Sequence, residues 1–312
     1  MSIFISIASY RDPELTRTVK SAINNAANPD QLYFSIVVQD FENDIPDLSW
    51  IPNLSLITMH PKEARGAGYA RSIAMKAYNN QEYFLQIDSH TLFEKDWDII
   101  SIDEHNKAKS IANNDKIILS YFPPPFTIEP DKSVFFIKND RKKPAYATKQ
   151  KPLFTRRNNW TAQRVEFADR TRKYPEQSTT ILAGFVFTTG NIVNEIPYDP
   201  EISFFGEELC FAVRAWTRGW DIYSPSKVIL YHFYLRPDYS KVWDAKNVIA
   251  VSWKDLEKQS AEKQKRILCG LEVGIYGVGS ARKLEEYERL AGLDFKKIYG
   301  VSSDTIVLRE KE

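Results

Sequence analysis

YFLQIDSHTLFEKDWD, residues 83–98, is the stretch on which the reading of the chain turns. Residues 83–87 are apolar or aromatic apart from Gln86, which predicts a buried strand. That strand stops at Asp88-Ser89-His90. In extended backbone, residues two apart point to the same side, so Asp88 and His90 offer a carboxylate and an imidazole to one cation. A mixed pair of this kind suits Mn2+ or Mg2+ and leaves coordination positions for a bridging ligand such as a diphosphate. D-x-H alone reads equally well as an aspartate capping the next turn, so a third ligand is required.

The chain holds four histidines, His60, His90, His105 and His232. His232 follows a predicted strand at 227–231, and a lone histidine there is usually a hydrogen-bonded core residue. It also stands at a strand end, as Asp88 does, and strands ending on one rim of a sheet bring such residues together. His60 and His105 lack that context.

Working outward, 3–8 and 32–38 read as strands with a helix at 16–26 between them, a β-α-β opening that predicts a parallel sheet. A third strand at 54–59, the loop KEARGAG (62–68) and a helix at 69–78 lead to the opening stretch. Further strands are expected at 116–122, 181–188 and 227–231, with a buried helix begun by Gly206 and ended by Gly219. The tail is helical: Ser252 with Asp255 resembles a capping box, and 280–292 has both an N-cap and a C-terminal glycine. These signals predict an α/β catalytic domain over 1–242 and a helical appendage over 243–312. Within the first, 131–164 carries ten Lys or Arg against two Asp. It reads either as a solvated insertion with a hairpin or as a mobile basic arm that meets an acceptor.

Of 312 residues 43% are hydrophobic, enough for a large core, and the net charge of +1 gives no global pull toward nucleic acid or an anionic membrane. The two cysteines, Cys210 and Cys269, sit among apolar helical neighbours and read as buried thiols. No stretch approaches the roughly 20 apolar residues of a membrane span, and the N-terminus has neither a basic region nor a cleavage site of a secretory leader. A cytoplasmic setting is expected.

Other residues could carry chemistry. Glu207 and Glu208 open the buried helix, where helix-dipole compensation alone accounts for roughly 0.3–1 kcal/mol; two adjacent acids exceed that need and suit sugar hydroxyls or a base. Gly66 and Gly68 would let backbone amides approach a ligand, with Arg65 and Arg71 favouring phosphate near a helix start. The loop is no Walker motif, because no GK[ST] follows. At the end of the first strand, Ser9, Tyr10 and Arg11 suit a nucleotide base and its phosphates.

In order, SIASYRDPEL, GAGYARS, QIDSHTLFEKDWD, FFGEEL with RAWTRGWDIYSPS and YH, and GSARKLEEYERLAGLDF resemble the GlcNAc-transferase family that includes hydroxyproline-directed polypeptide α-N-acetylglucosaminyltransferases. The resemblance spans nearly the whole chain and is weakest over 131–164. It implies a GT-A type fold, a UDP-sugar donor, foremost UDP-GlcNAc, a divalent ion, Mn2+ or Mg2+, and retention of configuration at a hydroxyl acceptor on protein or glycan. By position, Asp88, His90 and His232 would hold the metal, and Ser9, Tyr10, Arg11 and Gln39 would line the uridine pocket. Arg71 would approach the donor and Glu207 the sugar hydroxyls. The similar mucin-type GalNAc-transferases have Asn where this chain has Glu208, so which acid lies nearest the reacting carbon stays open. Three alternatives remain: another donor (UDP-Gal, UDP-Glc or UDP-GalNAc) in polysaccharide synthesis, a catalytically silent sugar-nucleotide-binding protein, and a metal-dependent nucleotidyltransferase.

Overall fold

The computed structural model of the chain describes residues 1–129, 131–136, 151–155, 160–164, 173–244 and 248–301. Strand and helix alternate first as β1 (Ile3–Tyr10), α1 (Leu15–Asn25), β2 (Leu32–Gln39), β3 (Leu54–Met59), α2 (Ala67–Ala74) and β4 (Tyr83–Asp88). Then come β5 (Thr91–Phe93), α3 (Trp97–Ala112), β6 (Ile117–Ser120), β7 (Phe126–Ile128), β8 (Val134–Phe136), β9 (Lys151–Thr155), β10 (Trp160–Arg164), β11 (Glu176–Ser178) and β12 (Phe185–Thr189). The chain continues through α4 (Ile192–Glu195), α5 (Glu207–Thr217), β13 (Asp221–Ser224), β14 (Leu230–His232), α6 (Trp253–Leu268), α7 (Leu284–Ala291) and α8 (Phe295–Tyr299).

Eight strands form one sheet in the order β11-β13-β6-β12-β4-β1-β2-β3. The β3-β2-β1-β4 half and the β13-β6 pair are parallel, while β12 runs antiparallel between β4 and β6. Both faces are covered, as parallel strands require. Period-two alternation sorts the side chains: Ile3, Ile5, Ile7, Leu85 and Ile87 pack with α1 and α3, whereas Phe4, Phe84, Ile118 and Val186 pack with α5. The tail helices join that second layer, since Ile267, Leu268, Tyr287 and Phe295 belong to the same apolar cluster as Phe211 and Val213. At about 1.5–3 kcal/mol for each fully buried large apolar side chain, those four hold α6 to α8 firmly on α5. No helix among the described residues is long and apolar enough to cross a membrane. Cys210 and Cys269 are buried free thiols.

Three local differences from the sequence reading have physical causes. Residues 181–184 form a turn, and β12 begins only at Phe185, because buried side chains take the turn's peptide groups: Gln86 Nε2 donates to Ala183 O at 2.8 Å, and Ala183 N donates to Glu208 Oε1 at 2.7 Å. Ser252 does cap α6 by position, but its side chain makes no capping hydrogen bond. Helix α3 was not legible because its inward face carries Ser101, Glu104 and His105 among Trp97, Ile102 and Ala108, which blurs the apolar period. Of the basic 131–164 segment, β9 and β10 pair antiparallel; its expected role as an acceptor arm falls largely outside the described residues.

His105 makes stability pH-dependent. Burial, the dominant influence, pushes its imidazole down to about 4, while Nε2 contacts the Ile117 carbonyl at 3.1 Å. The unfolded chain binds the proton near the ordinary 6.5, so stability is retained above that value and declines as pH falls through about 4. At 1.36 kcal/mol per unit, the decline reaches ~3 kcal/mol. Urea midpoints of wild type and His105→Gln at pH 7 and pH 5 test this: wild type should lose more stability on acidification, and equal losses would exclude His105 as the source.

Candidate active site

The parallel register sets Tyr10 opposite Gln39 and Ala8 opposite Asp88, so the carboxyl ends of β1, β2 and β4 form one rim. A cavity of about 450 Å³ opens there, lined by Tyr10, Gln39, Arg71, Asp88, His90 and His232. Donor atoms of Asp88, His90 and His232 lie within 4.8 Å of one another, a group able to hold a metal ion.

His232 reaches this place by a route the sequence did not reveal. Its strand β14 is outside the eight-stranded sheet and pairs antiparallel with β5, with His232 opposite Thr91, so the short ribbon delivers it beside the D-S-H turn. Tyr121 holds the ribbon: its hydroxyl accepts from Ile229 N and Leu230 N, both at 2.9 Å, and donates to Leu230 O at 3.0 Å. The proline run after β6 contributes Pro124 O, which accepts from His232 N at 3.0 Å. On the other side Thr18 of α1 clamps the turn, its hydroxyl donating to Ser89 O and accepting from Thr91 N, both at 2.8 Å.

Asp88 is doubly held. Arg71 Nη2 donates to its Oδ1 at 2.8 Å, and His232 Nε2 lies 2.9 Å from its Oδ2. Burial opposes ionisation of Asp88, but the His232 hydrogen bond and the Arg71 charge outweigh it and keep the carboxyl far below the usual range. Arg71, almost wholly buried, also donates to Glu207 Oε1. Burial is the main cause that lowers His232 to about 4, so its imidazole is neutral at pH 7, the state a metal ligand needs. Around this site Arg71 pairs with Asp88 and Glu207, and Arg236 pairs with Asp12. Gly184 leaves the flank of Asp88 and His232 clear: a β-carbon there would stand 3.4 Å from both Asp88 Oδ2 and His232 Cδ2. A carboxylate, two imidazoles and a flank left clear by Gly184 fit a divalent cation.

The remaining sequence candidates divide. Glu207 sits on the Arg71 side and Glu208 on the Ala183 side; burial raises both, Glu208 to about 7, with the neighbouring Glu207 charge adding to its shift. Glu207 Oε2 is buried and has no hydrogen-bond partner among the described residues. Ser9 is buried, its carbonyl 3.5 Å from Gln39 Nε2. Arg11 turns toward Asp40, at 3.8 Å, and over the Phe41 ring, and Arg65 is exposed over the Tyr69 ring; neither lines the cavity. Gly66 and Gly68 allow a close backbone approach: a β-carbon on them would stand 2.0 Å from Ser203 O and 2.1 Å from Ile202 O; Gly68 N donates to Ser203 O, and Gly66 lines the cavity. Sequence reasoning missed Asp12 and Arg236, which line the cavity. Asp12 stood two residues after Tyr10, within a block already singled out, and Arg236 four after His232.

A family model described as Glycosyltransferase (GlcNAc) matches residues 2–51 and 50–297. Among curated protein sequences, none matches the chain. Among solved structures it is similar to GalNAc-T7, crystallised with UDP, GalNAc and Mn2+, at 14% identity and a TM-score of 0.56 over 96% of this chain and 56% of that one. It is also similar to residues 1–349 of S. aureus TarS, at 12% identity and a TM-score of 0.50 over 98% of this chain and 74% of that one. The chain thus spans little more than half of GalNAc-T7, and at these identities the likeness concerns the fold. With the family match running from residue 2 to 297 over a GT-A type fold, the chain belongs to the GlcNAc glycosyltransferase family.

Proposed function

We propose that this chain transfers GlcNAc from UDP-GlcNAc to a hydroxyl acceptor on a protein or glycan, with retention of configuration and dependence on a divalent ion, Mn2+ before Mg2+. The observation that carries the reading is the convergence of Asp88, His90 and His232 beside the Arg71–Glu207 pair, on the rim where Tyr10 and Gln39 end their strands. The family and the Mn2+ and UDP in GalNAc-T7 favour the same cofactor and nucleotide. When bound, the ion acts as a Lewis acid for negative charge on the leaving diphosphate.

The chain's own residues do the rest. Tyr10 and Gln39 would meet the nucleoside, and Asp88, His90 and His232 would hold the ion beside the diphosphate. Arg71 fixes the Asp88 and Glu207 carboxylates relative to each other, and Glu207 Oε2, without a partner among the described residues, would accept a hydrogen bond from a sugar hydroxyl. The acceptor oxygen attacks the anomeric carbon on the face from which the diphosphate leaves, and its proton passes to a departing phosphate oxygen. A trapped sugar adduct on Glu207 or Glu208 would replace this with a two-step route.

A panel of nucleotide sugars with and without Mn2+ tests the reading. Metal-dependent release of UDP from UDP-GlcNAc is expected. Turnover of UDP-Gal, UDP-Glc or UDP-GalNAc in its place would reassign the donor, and release of diphosphate would identify a nucleotidyltransferase.

A further inference from the structure

The D-S-H turn has a buried carboxylate behind it. Asp12 Oδ2 lies 2.7 Å from His90 Nδ1 and also accepts from Ser89 Oγ at 2.8 Å and from Arg236 Nη1 at 2.7 Å. Its other oxygen accepts from Glu14 N at 3.0 Å, which locks the side chain at the entrance to α1. Only 4% of the Asp12 side chain and 10% of the His90 side chain are exposed. An oxygen accepting from both a guanidinium and a hydroxyl has no proton of its own to give, so the proton shared with His90 resides on Nδ1. A neutral imidazole carries one ring proton, which leaves Nε2 with a bare lone pair. The backbone is fixed as well, because His90 O accepts from Phe233 N at 3.1 Å.

We propose that Asp12 is a positioning residue for His90: its carboxylate holds the imidazole as the Nδ1–H tautomer and presents Nε2 to the cation shared with Asp88 and His232. The inference rests on the metal-dependent reading above. Partners of this kind, placed behind a ligating histidine, change metal affinity 10- to 100-fold when removed. Arg236 and Ser89 complete the hydrogen bonding of Asp12, but neither touches His90 Nδ1.

Two measurements on the full-length protein test it. The first is nitrogen-15 NMR of the histidine rings without metal; the second is Mn2+ titration in the presence of UDP, followed by electron paramagnetic resonance of free Mn2+. In wild type His90 should be the Nδ1–H tautomer. Asp12→Ala should mix the tautomers and weaken Mn2+ binding about 10- to 100-fold. Asp12→Asn keeps the shape and one accepting oxygen, so it guards against misfolding of the alanine variant; it should retain the tautomer and lose several-fold in affinity. Arg236→Gln removes a partner of Asp12 and should leave the His90 tautomer as in wild type. Unchanged Mn2+ affinity in both Asp12 variants would overturn the proposal. So would lost affinity with His90 still fully Nδ1–H in Asp12→Ala, which would make Asp12 a direct ligand. If wild type bound no Mn2+ with UDP, the metal reading would fail, while the ring spectra would still report whether Asp12 sets the tautomer.

Discussion

Replacing Asp88 by alanine is expected to abolish Mn2+-dependent UDP binding and to lower sugar transfer on the order of a thousandfold, the equivalent of about 4 kcal/mol of lost charge stabilisation. The change removes the one carboxylate of the three-residue donor group, and with it the acceptor for Arg71 Nη2 and the partner of His232 Nε2. Arg71 would keep only Glu207 as a charge partner in a buried setting. Breaking such a pair costs about 3 kcal/mol or more, so Asp88→Ala should also be less stable. Asp88→Asn separates the two effects. It preserves the size of the side chain and an oxygen for Arg71, so thermal unfolding should stay near wild type while metal-dependent UDP binding is lost. Calorimetry showing wild-type UDP and Mn2+ binding in a folded Asp88→Asn protein would dismiss Asp88 as a ligand.

Gly66→Ala is expected to destabilise the whole fold by about 2–6 kcal/mol, a large share of a typical folding free energy of about 5–15 kcal/mol. Gly66 has φ of 99°, a conformation that costs a residue with a β-carbon about 1–3 kcal/mol. The new methyl would also meet Ser203 O at 2.0 Å, where backbone must shift, adding a similar amount. The consequence reaches the site. The close approach of 66–68 to 202–203 brings the start of α2 against the entry to α5, which sets Arg71 beside Glu207. Denaturant unfolding would show the loss; a Gly66→Ala protein of wild-type stability would mean that the 202–203 backbone yields freely. UDP binding should weaken in parallel, because both sides of the Arg71–Glu207 pair would move.

Much of the sheet was legible because buried parallel strands write themselves as short apolar runs, as in residues 3–8 and 32–38. The same rule failed at 181–184, where Gln86 and Glu208 capture peptide groups that would otherwise join the ladder. It was also silent about α3, whose buried face includes Glu104 and His105. At the site, Asp88 and His90 were visible from their spacing. Asp12 was not, because its partner His90 lies 78 positions away and hydrogen bonds across that distance leave no local pattern.

Sequence alone was enough for the α/β class, the strand that mounts Asp88 and His90, the acidic start of α5 and the ordered blocks of a GlcNAc glycosyltransferase. Those features arise from periodicity and from residues near one another in the chain. Tertiary structure alone decided that His232 arrives on the β5–β14 ribbon, 144 positions from Asp88, and that Gly66 and Gly68 allow a close backbone approach. It also turned Arg65 to solvent and drew Arg71 between two carboxylates. Nothing local distinguishes two arginines of one loop and helix; burial does, because a cation withdrawn from water must find anionic partners, and only the folded chain brings Asp88 and Glu207 to Arg71.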